Sequence, residues 1–303
     1  MKGIMFGLGM IGAKHAKILK ENFQAELFSF QSKSNSPHVS KNLNSLNEAI
    51  QISPDFVLIS NPTYKHLETL EQCFALNCPV FLEKPIDSER KNLEEMIKKA
   101  KSSVVYVAYC LRFNPVIVFI RDYLKSNRPT AISIHCSNNL SFWPRNSSQS
   151  YSSSFEKGGG VVLDLSHEID YLNFISPIKK INFSNARKNG NVTDDAPDTL
   201  FAEFETEYCD AVVNINYQSH FRERGFKIDF NDKTIVGDIR ANRIDFYEKF
   251  EKVNSKTFDE PYDEMYVKQW KYFFENKNNP SLMNNLSDAL PVFELLCKMN
   301  KKC

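Results

Sequence analysis

Short apolar runs recur through the first 109 residues, and each is followed by a stretch whose apolar positions fall on one helical face. Residues 4–6 (IMF) predict a first strand, and Ile11, Ile18 and Leu19 place a helix over 10–22. Further strands are expected at 26–30, 55–60, 80–83 and 104–109. Helices are expected at 63–76, ended by Cys78-Pro79, and at 87–101, capped by Asp87 or Ser88. The second half reads differently. Residues 131–137, 199–204, 211–217 and 226–230 alternate or run apolar as strands do, with helices over 161–174 and 286–299.

Strand–helix alternation with apolar strands implies a parallel, doubly wound sheet, which binds ligands at the carboxyl ends of its strands where the strand order reverses. Gly7, Gly9 and Gly12 form GxGxxG between the first strand and the first helix, where that spacing carries meaning. Gly7 suits a tight turn, Gly9 a close backbone approach to a pyrophosphate, and Gly12 close helix–strand packing. The amino end of the helix, at Met10 and Ile11, offers N–H groups to phosphates. NAD enzymes of this fold place an acid after the second strand for the ribose hydroxyls. Here that position reads Gln31-Ser32-Lys33-Ser34. Ser32, Lys33 and Ser34 suit a 2′-phosphate and favour NADP; NAD held through Gln31 or Ser32 is the alternative.

Composition narrows the choice. The chain has 303 residues, 42% hydrophobic, with a formal net charge of +1. That is enough for two domains, with no basic field for nucleic acid. No apolar stretch reaches membrane-span length and no secretory leader is evident, so a cytoplasmic protein with no membrane partner is expected. The seven cysteines are scattered without zinc-ligand spacing, so no metal is expected and the thiols read as reduced.

Three further stretches carry a family resemblance. FLEKPID holds Glu83, Lys84 and Pro85; AYCLRFNP holds Tyr109, Arg112, Asn114 and Pro115; GGGVVLDLSHEIDYL runs from Gly158 to Leu172. With GLGMIGAKH, in this order, the chain resembles the glucose–fructose oxidoreductase / inositol dehydrogenase / rhizopine catabolism (Gfo/Idh/MocA) family, most densely before residue 175. The resemblance implies an α/β protein with an amino-terminal Rossmann domain, here 1–115, and a carboxy-terminal α/β domain, 116–303, built on a large, mostly antiparallel open sheet. It also implies a terminal helix packed back on the body and a homodimer or homotetramer assembled through the open sheet.

The implied activity is NAD(P)-dependent hydride transfer to or from a sugar or nucleotide sugar, including the sugars of bacterial surface polymers. Lys84 matches the catalytic lysine, in a Lys84–Pro85 bond that is often cis in the family, and Glu83 flanks it on the cofactor edge. Asn61, Pro62, His66 and Arg112 fall where the family contacts cofactor; for Arg112 a domain-linking salt bridge is the alternative, and for His66 packing or capping. Tyr109 and Asn114 fall against substrate. Asp164 and His167 stand three apart on one predicted helical face, so the carboxylate can orient the imidazole as general base or acid or bind a substrate hydroxyl. The family more often spaces these residues four apart, which leaves the assignment open among Asp164, His167 and Glu168. The Ser-rich stretch 138–157 carries Trp143, Arg145 and Tyr151 and reads as a loop or as a lid suited to sugar stacking and anion pairing. Two other readings stay open: a redox-neutral enzyme that oxidises its substrate transiently with tightly held NAD, and a catalytically silent sensor.

Overall fold

In a computed structural model, which describes residues 1–91, 93–100, 103–143 and 151–300, the chain forms two units. The first comprises Met1–Tyr109 and Tyr266–Glu294; the second comprises Cys110–Met265 and residues 295–300.

The first unit is a parallel sheet of β1 (Lys2–Phe6), β2 (Glu26–Phe30), β3 (Lys41–Leu43), β4 (Phe56–Ile59), β5 (Val80–Glu83) and β6 (Val105–Ala108), in the order β3-β2-β1-β4-β5-β6. Every residue of β4, β5 and β6 is buried, as a sheet covered on both faces requires. The order reverses between β1 and β4, so the ligand crevice of this topology lies at the carboxyl ends of those two strands. The intervening helices are α1 (Met10–Phe23), α2 (Leu46–Ile52), α3 (His66–Cys73) and α4 (Leu93–Lys99). The α4 helix begins later than its hydrophobic period implies. Asp87 is drawn elsewhere: its carboxylate accepts the Leu67 N–H at 3.0 Å and so caps α3.

The second unit opens with α5 (Pro115–Leu124), started by Asn114, whose side chain accepts the Val116 N–H at 3.0 Å, and by proline at the first helical position. Then come β7 (Ala131–Asn139), α6 (Val161–Asp164), α7 (His167–Ile175), β8 (Ile178–Arg187), β9 (Thr199–Thr206), β10 (Asp210–Asn216), β11 (Gln218–Asp229), β12 (Thr234–Asp238), β13 (Arg243–Glu248) and β14 (Glu251–Thr257). The eight strands run β14-β13-β12-β11-β7-β10-β9-β8, antiparallel except for β7 beside β10. One face buries Ile132, Ile134, Phe204, Val213, Phe226 and Ile228; the other leaves Phe183, Phe201 and Val212 about half exposed on three adjacent strands. This pair of sheets is the expected fold class. The single helix expected over 161–174 is two: Leu165, at φ −97° and ψ 31°, breaks the path between α6 and α7.

Two final helices follow, α8 (Glu264–Asn276) and α9 (Leu286–Met299). Between them Asn284 bonds through its N–H₂ and carbonyl to Val107, and Asn285 bridges Tyr106, which covers the open edge of β6. Trp270 of α8 is fully buried and stacks on Phe81 of β5 at 3.9 Å and 12°, with Phe56, Phe273 and Phe274 around it.

Within this apolar cluster runs a polar line. Indole nitrogen is a donor only. Trp270 Nε1–H therefore donates to His15 Nδ1 at 2.8 Å, which leaves the His15 proton on Nε2, and that nitrogen donates to Glu83 Oε1 at 2.8 Å. Replacing Trp270 with Phe keeps the ring but orphans His15 Nδ1, and should cost about 1–3 kcal/mol. Trp270→Ala adds a cavity and should cost about 3–5 kcal/mol. Equilibrium urea unfolding measures both; a loss for Trp270→Phe too small to resolve would refute the hydrogen-bond line.

Candidate active site

The nucleotide-binding features lie in the first unit. Gly7 has φ +103°, and a Cβ there would sit 2.5 Å from the Asn61 nitrogen. A Cβ on Gly12 would sit 2.3 Å from the Gly7 carbonyl oxygen, so α1 starts tightly against the turn. At Gly9 a Cβ would meet nothing within 4 Å. Gly9 is also the cap of α1, with no side-chain cap bond and no acid in the first turn. The N–H groups of Met10 and Ile11 have no partner within the helix. An open cradle, free helical N–H groups and no local anion fit a dinucleotide pyrophosphate.

After β2 the chain turns through Gln31, at φ 44°. Asn42 of β3 holds this turn: it accepts the Ser29 hydroxyl (2.9 Å) and the Ser32 N–H (3.0 Å), and donates to the Ser32 carbonyl (3.1 Å). Ser32 Oγ accepts the Ser34 N–H at 3.1 Å. Lys33 and Ser34 are exposed, and among the described residues Lys33 has no carboxylate partner.

At the end of β4, the Ser60 hydroxyl donates to the Gly7 carbonyl (2.9 Å), the Asn61 amide donates to Thr69 (2.7 Å), and Pro62 leads a helical turn over Thr63–Lys65. His66 is buried with one ring nitrogen 2.9 Å from the Pro85 carbonyl and the other 3.0 Å from that of Asn61. Burial holds its pKa below the ordinary value, against the pull of the Pro85 carbonyl, Asp87, the Asn61 carbonyl and Glu83. The ring thus ties the loop after β4 to the turn after β5. A neutral imidazole carries one N–H, so it donates to one of the two carbonyls while its other nitrogen lies against the second, and the ring sits between the two loops. At the end of β5, the buried Glu83 receives the His15 bond and its Oε2 accepts the Lys84 N–H at 3.2 Å. Lys84 is half-buried and its bond to Pro85 is cis.

The second unit concentrates acids in one short segment and pairs each with a different element. Asp164 accepts the Tyr217 hydroxyl at 2.9 Å. Burial, then the Asp164 charge, pushes the Tyr217 pKa well up, so the phenol stays a donor. Trp143 meets Tyr217 edge-on at 5.6 Å, and Tyr151 lies within electrostatic reach of it, so both aromatics of the predicted lid gather near Asp164. Glu168 is fully buried and pairs with Arg224 (Nε–Oε1 2.8 Å). Asp170 is fully buried and takes Arg112 in a two-pronged bond, at 3.0 and 2.7 Å. His167 opens α7, beside Glu168, and is 9% exposed.

Several predicted residues therefore have definite structural partners. Arg112 pairs with Asp170. Asn114 caps α5 and donates to Asn242 at 2.9 Å. Tyr109 is buried at the end of the first unit. Arg145 lies outside the described residues. Asp164 and His167 stand on successive helices rather than one continuous face. Sequence reasoning missed Tyr217, Arg224, His15 and Asn42. A signal existed for two of them: His15 sits at the i+3 position from Gly12 on the buried face of α1, and Arg224 shares the strand parity of buried Phe226 and Ile228. A polar group on an apolar face calls for a buried partner.

Cysteine chemistry is disfavoured where it can be judged. Burial pushes the Cys136 thiol up to about 12 and those of Cys78 and Cys209 to about 11. Among the described residues no group of three or more His, Cys, Asp and Glu could hold a metal ion, and no helix is long and apolar enough to cross a membrane.

Comparison with known proteins adds the following. Residues 1–109 match the family described as an oxidoreductase family with an NAD-binding Rossmann fold. No curated protein matches the chain. Among solved structures, UDP-N-acetylglucosamine 3-dehydrogenase from Acidithiobacillus ferrooxidans superposes with a TM-score of 0.80 at 17% identity, covering 100% of this chain and 97% of that one. A levoglucosan dehydrogenase complexed with NADH and levoglucosan gives 0.82 at 15% identity, covering 100% and 97%. An oxidoreductase from Thermotoga maritima gives 0.83 at 16% identity, covering 100% and 96%. At such identities the likeness is one of fold, and it extends over both units.

Proposed function

We propose that this chain, whose residues 1–109 match the Gfo/Idh/MocA oxidoreductase family, is an NAD(P)-dependent dehydrogenase or reductase acting on a hydroxyl or ketone of a sugar or nucleotide sugar. The observation that carries the reading is the placement of Lys84. It directly follows β5, at the carboxyl end of the parallel sheet of a dinucleotide fold, after a glutamate held by buried bonds.

The nicotinamide of the bound cofactor supplies or receives the hydride. The chain's own groups do the rest. Lys84 offers an ammonium to the reacting oxygen and stabilises charge on it. His167 takes or returns the hydroxyl proton, and Asp164 holds a substrate hydroxyl or steadies His167, with the Tyr217 bond fixing its carboxylate. Glu168 is the weakest of the three acid/base candidates, because its charge is committed to Arg224. Trp143 and Tyr151, gathered near Tyr217, suit the apolar face of a sugar ring. The fold likeness to sugar dehydrogenases is consistent with that substrate class.

NADP is the favoured cofactor. The turn after β2 holds no acid to repel a 2′-phosphate, and it presents an exposed Lys33 between two serines. Assembly through the sheet face that carries Phe183, Phe201 and Val212 belongs to the same reading, since half-exposed phenylalanines on adjacent strands are unusual on a lone monomer.

The first test is nicotinamide absorbance with NAD and NADP against a panel of free, phosphorylated and nucleotide-linked sugars. Turnover with one class supports the reading; bound nucleotide with no net absorbance change for any sugar refutes it. Lys84→Ala should lower kcat/KM by about 10²–10⁴-fold with nucleotide Kd nearly unchanged; activity within a few-fold of the parent removes Lys84 from the chemistry. Lys33→Glu should raise KM for NADPH by about tenfold or more and leave NADH little changed; equal effects on both would sink the 2′-phosphate argument. Phe201→Asp should reduce the mass seen by light scattering to that of one chain; an unchanged assembly, or a parent that is already a monomer, rejects that interface.

A further inference from the structure

Strand β11 carries Arg222 and Arg224 two residues apart, in the parity of the buried Phe226 and Ile228. Arg224 is neutralised by Glu168, the neighbour of His167. Arg222 is not: among the described residues it has no carboxylate partner, and its charged neighbours are Arg240 and Arg224. Arg240 arrives from the turn after β12, which is pinned beside β11 by the Ile239 N–H donating to the Arg224 carbonyl at 3.0 Å. The nearest acid along that turn, Asp238, is spent on backbone, accepting the N–H groups of Arg240 and Ala241 at 3.0 and 2.9 Å. Tyr262, also hydrogen-bonded to Arg224, adds a phenol whose pKa burial raises, so it remains a donor.

Among the described residues the cluster brings together the guanidiniums of Arg222, Arg224 and Arg240, and the carboxylate ion-paired to it is that of buried Glu168. Crowding like charges is unfavourable. Partial burial first, then Arg240, hold the Arg222 pKa below the ordinary arginine value; Tyr262 pulls the other way, Arg224 adds a smaller lowering, and Cys136 a smaller opposing pull. An anion placed here relieves the repulsion and can be gripped by planar, two-pronged donors, as carboxylates and phosphates commonly are. Glu223, the intervening residue on β11, turns to the opposite face, where it accepts the Ser137 hydroxyl at 2.7 Å, and does not compete.

We propose that Arg222 and Arg240 form an anion subsite, so that the substrate is an anionic sugar whose phosphate or carboxylate is bound there, beside the Arg224–Glu168 pair that adjoins His167. The inference rests on the sugar reading above for the rest of the ligand, and on the arginine cluster alone for its charge.

Isothermal titration separates the sources. UDP-N-acetylglucosamine, glucose 6-phosphate, glucuronate and glucose are each titrated into the parent, Arg222→Gln, Arg240→Gln and Arg222→Lys, with NADPH present. At least one anionic sugar should bind about tenfold or more tighter than glucose, each Gln variant should lose about tenfold of that affinity, and Arg222→Lys should keep most of it. Which anionic sugar binds tells phosphate from carboxylate. Unchanged melting temperatures would show the variants folded, as expected for exposed side chains. Anionic sugars no tighter than glucose, or affinity unmoved in both Gln variants, overturns the subsite. Arginine-dependent binding with no nicotinamide turnover would instead leave the subsite standing and refute the oxidoreductase reading.

Discussion

The ligand edge of the first unit depends on a hydrogen-bond line that can run in only one direction. Trp270 can give a proton and cannot receive one, so His15 must receive at Nδ1 and give at Nε2, and Glu83 must receive. A buried carboxylate would be costly without such a donor. With it, Glu83 becomes a fixed post at the end of β5, and its second oxygen holds the Lys84 N–H. His66 braces the same place from the other side through the Pro85 and Asn61 carbonyls. The end of β5 is therefore set by groups that no ligand need touch.

The second unit solves a different problem. Asp164, Glu168 and Asp170 come from seven consecutive residues, yet each finds its partner on a separate element: Tyr217 after β10, Arg224 on β11, and Arg112 before α5. Each partnership fixes the orientation of one turn of the α6–α7 segment. The break at Leu165 lets the two short helices satisfy these partners independently, which one straight helix, with residues 100° apart, could not easily do.

What was legible in the sequence follows from burial. Strands β4, β5 and β6 are apolar throughout, β9 and β10 alternate cleanly, and GxGxxG announces its turn, so both sheets could be anticipated. Strand β14 is exposed at every residue and β8 buries none of its ten, so neither leaves a period to read. The three-residue β3 is too short to announce itself, though the Ser45-to-Glu48 spacing of a capped helix was there to mark α2. The α6–α7 break was invisible because the apolar period continues across it. Of the residues proposed for the site, the glycines and Lys84 stand in motifs that a sequence can carry. Tyr217, Arg224 and His15 are not marked in this way, because each earns its place through a partner between 53 and 255 residues away.

That 255-residue span bears on synthesis. Nascent domains generally fold from the amino terminus as they emerge. Here the aromatic cover over Phe56 and Phe81, and the donor that sets His15, arrive only with Trp270. The parallel sheet is complete as a set of strands by Ala108, yet on the ribosome it must wait for Cys110–Met265 of the second unit to emerge before its core can close. During that interval a flat apolar surface and the uncovered edge of β6 are exposed, which makes this the stage of the protein's life at which a chaperone has the most to hold.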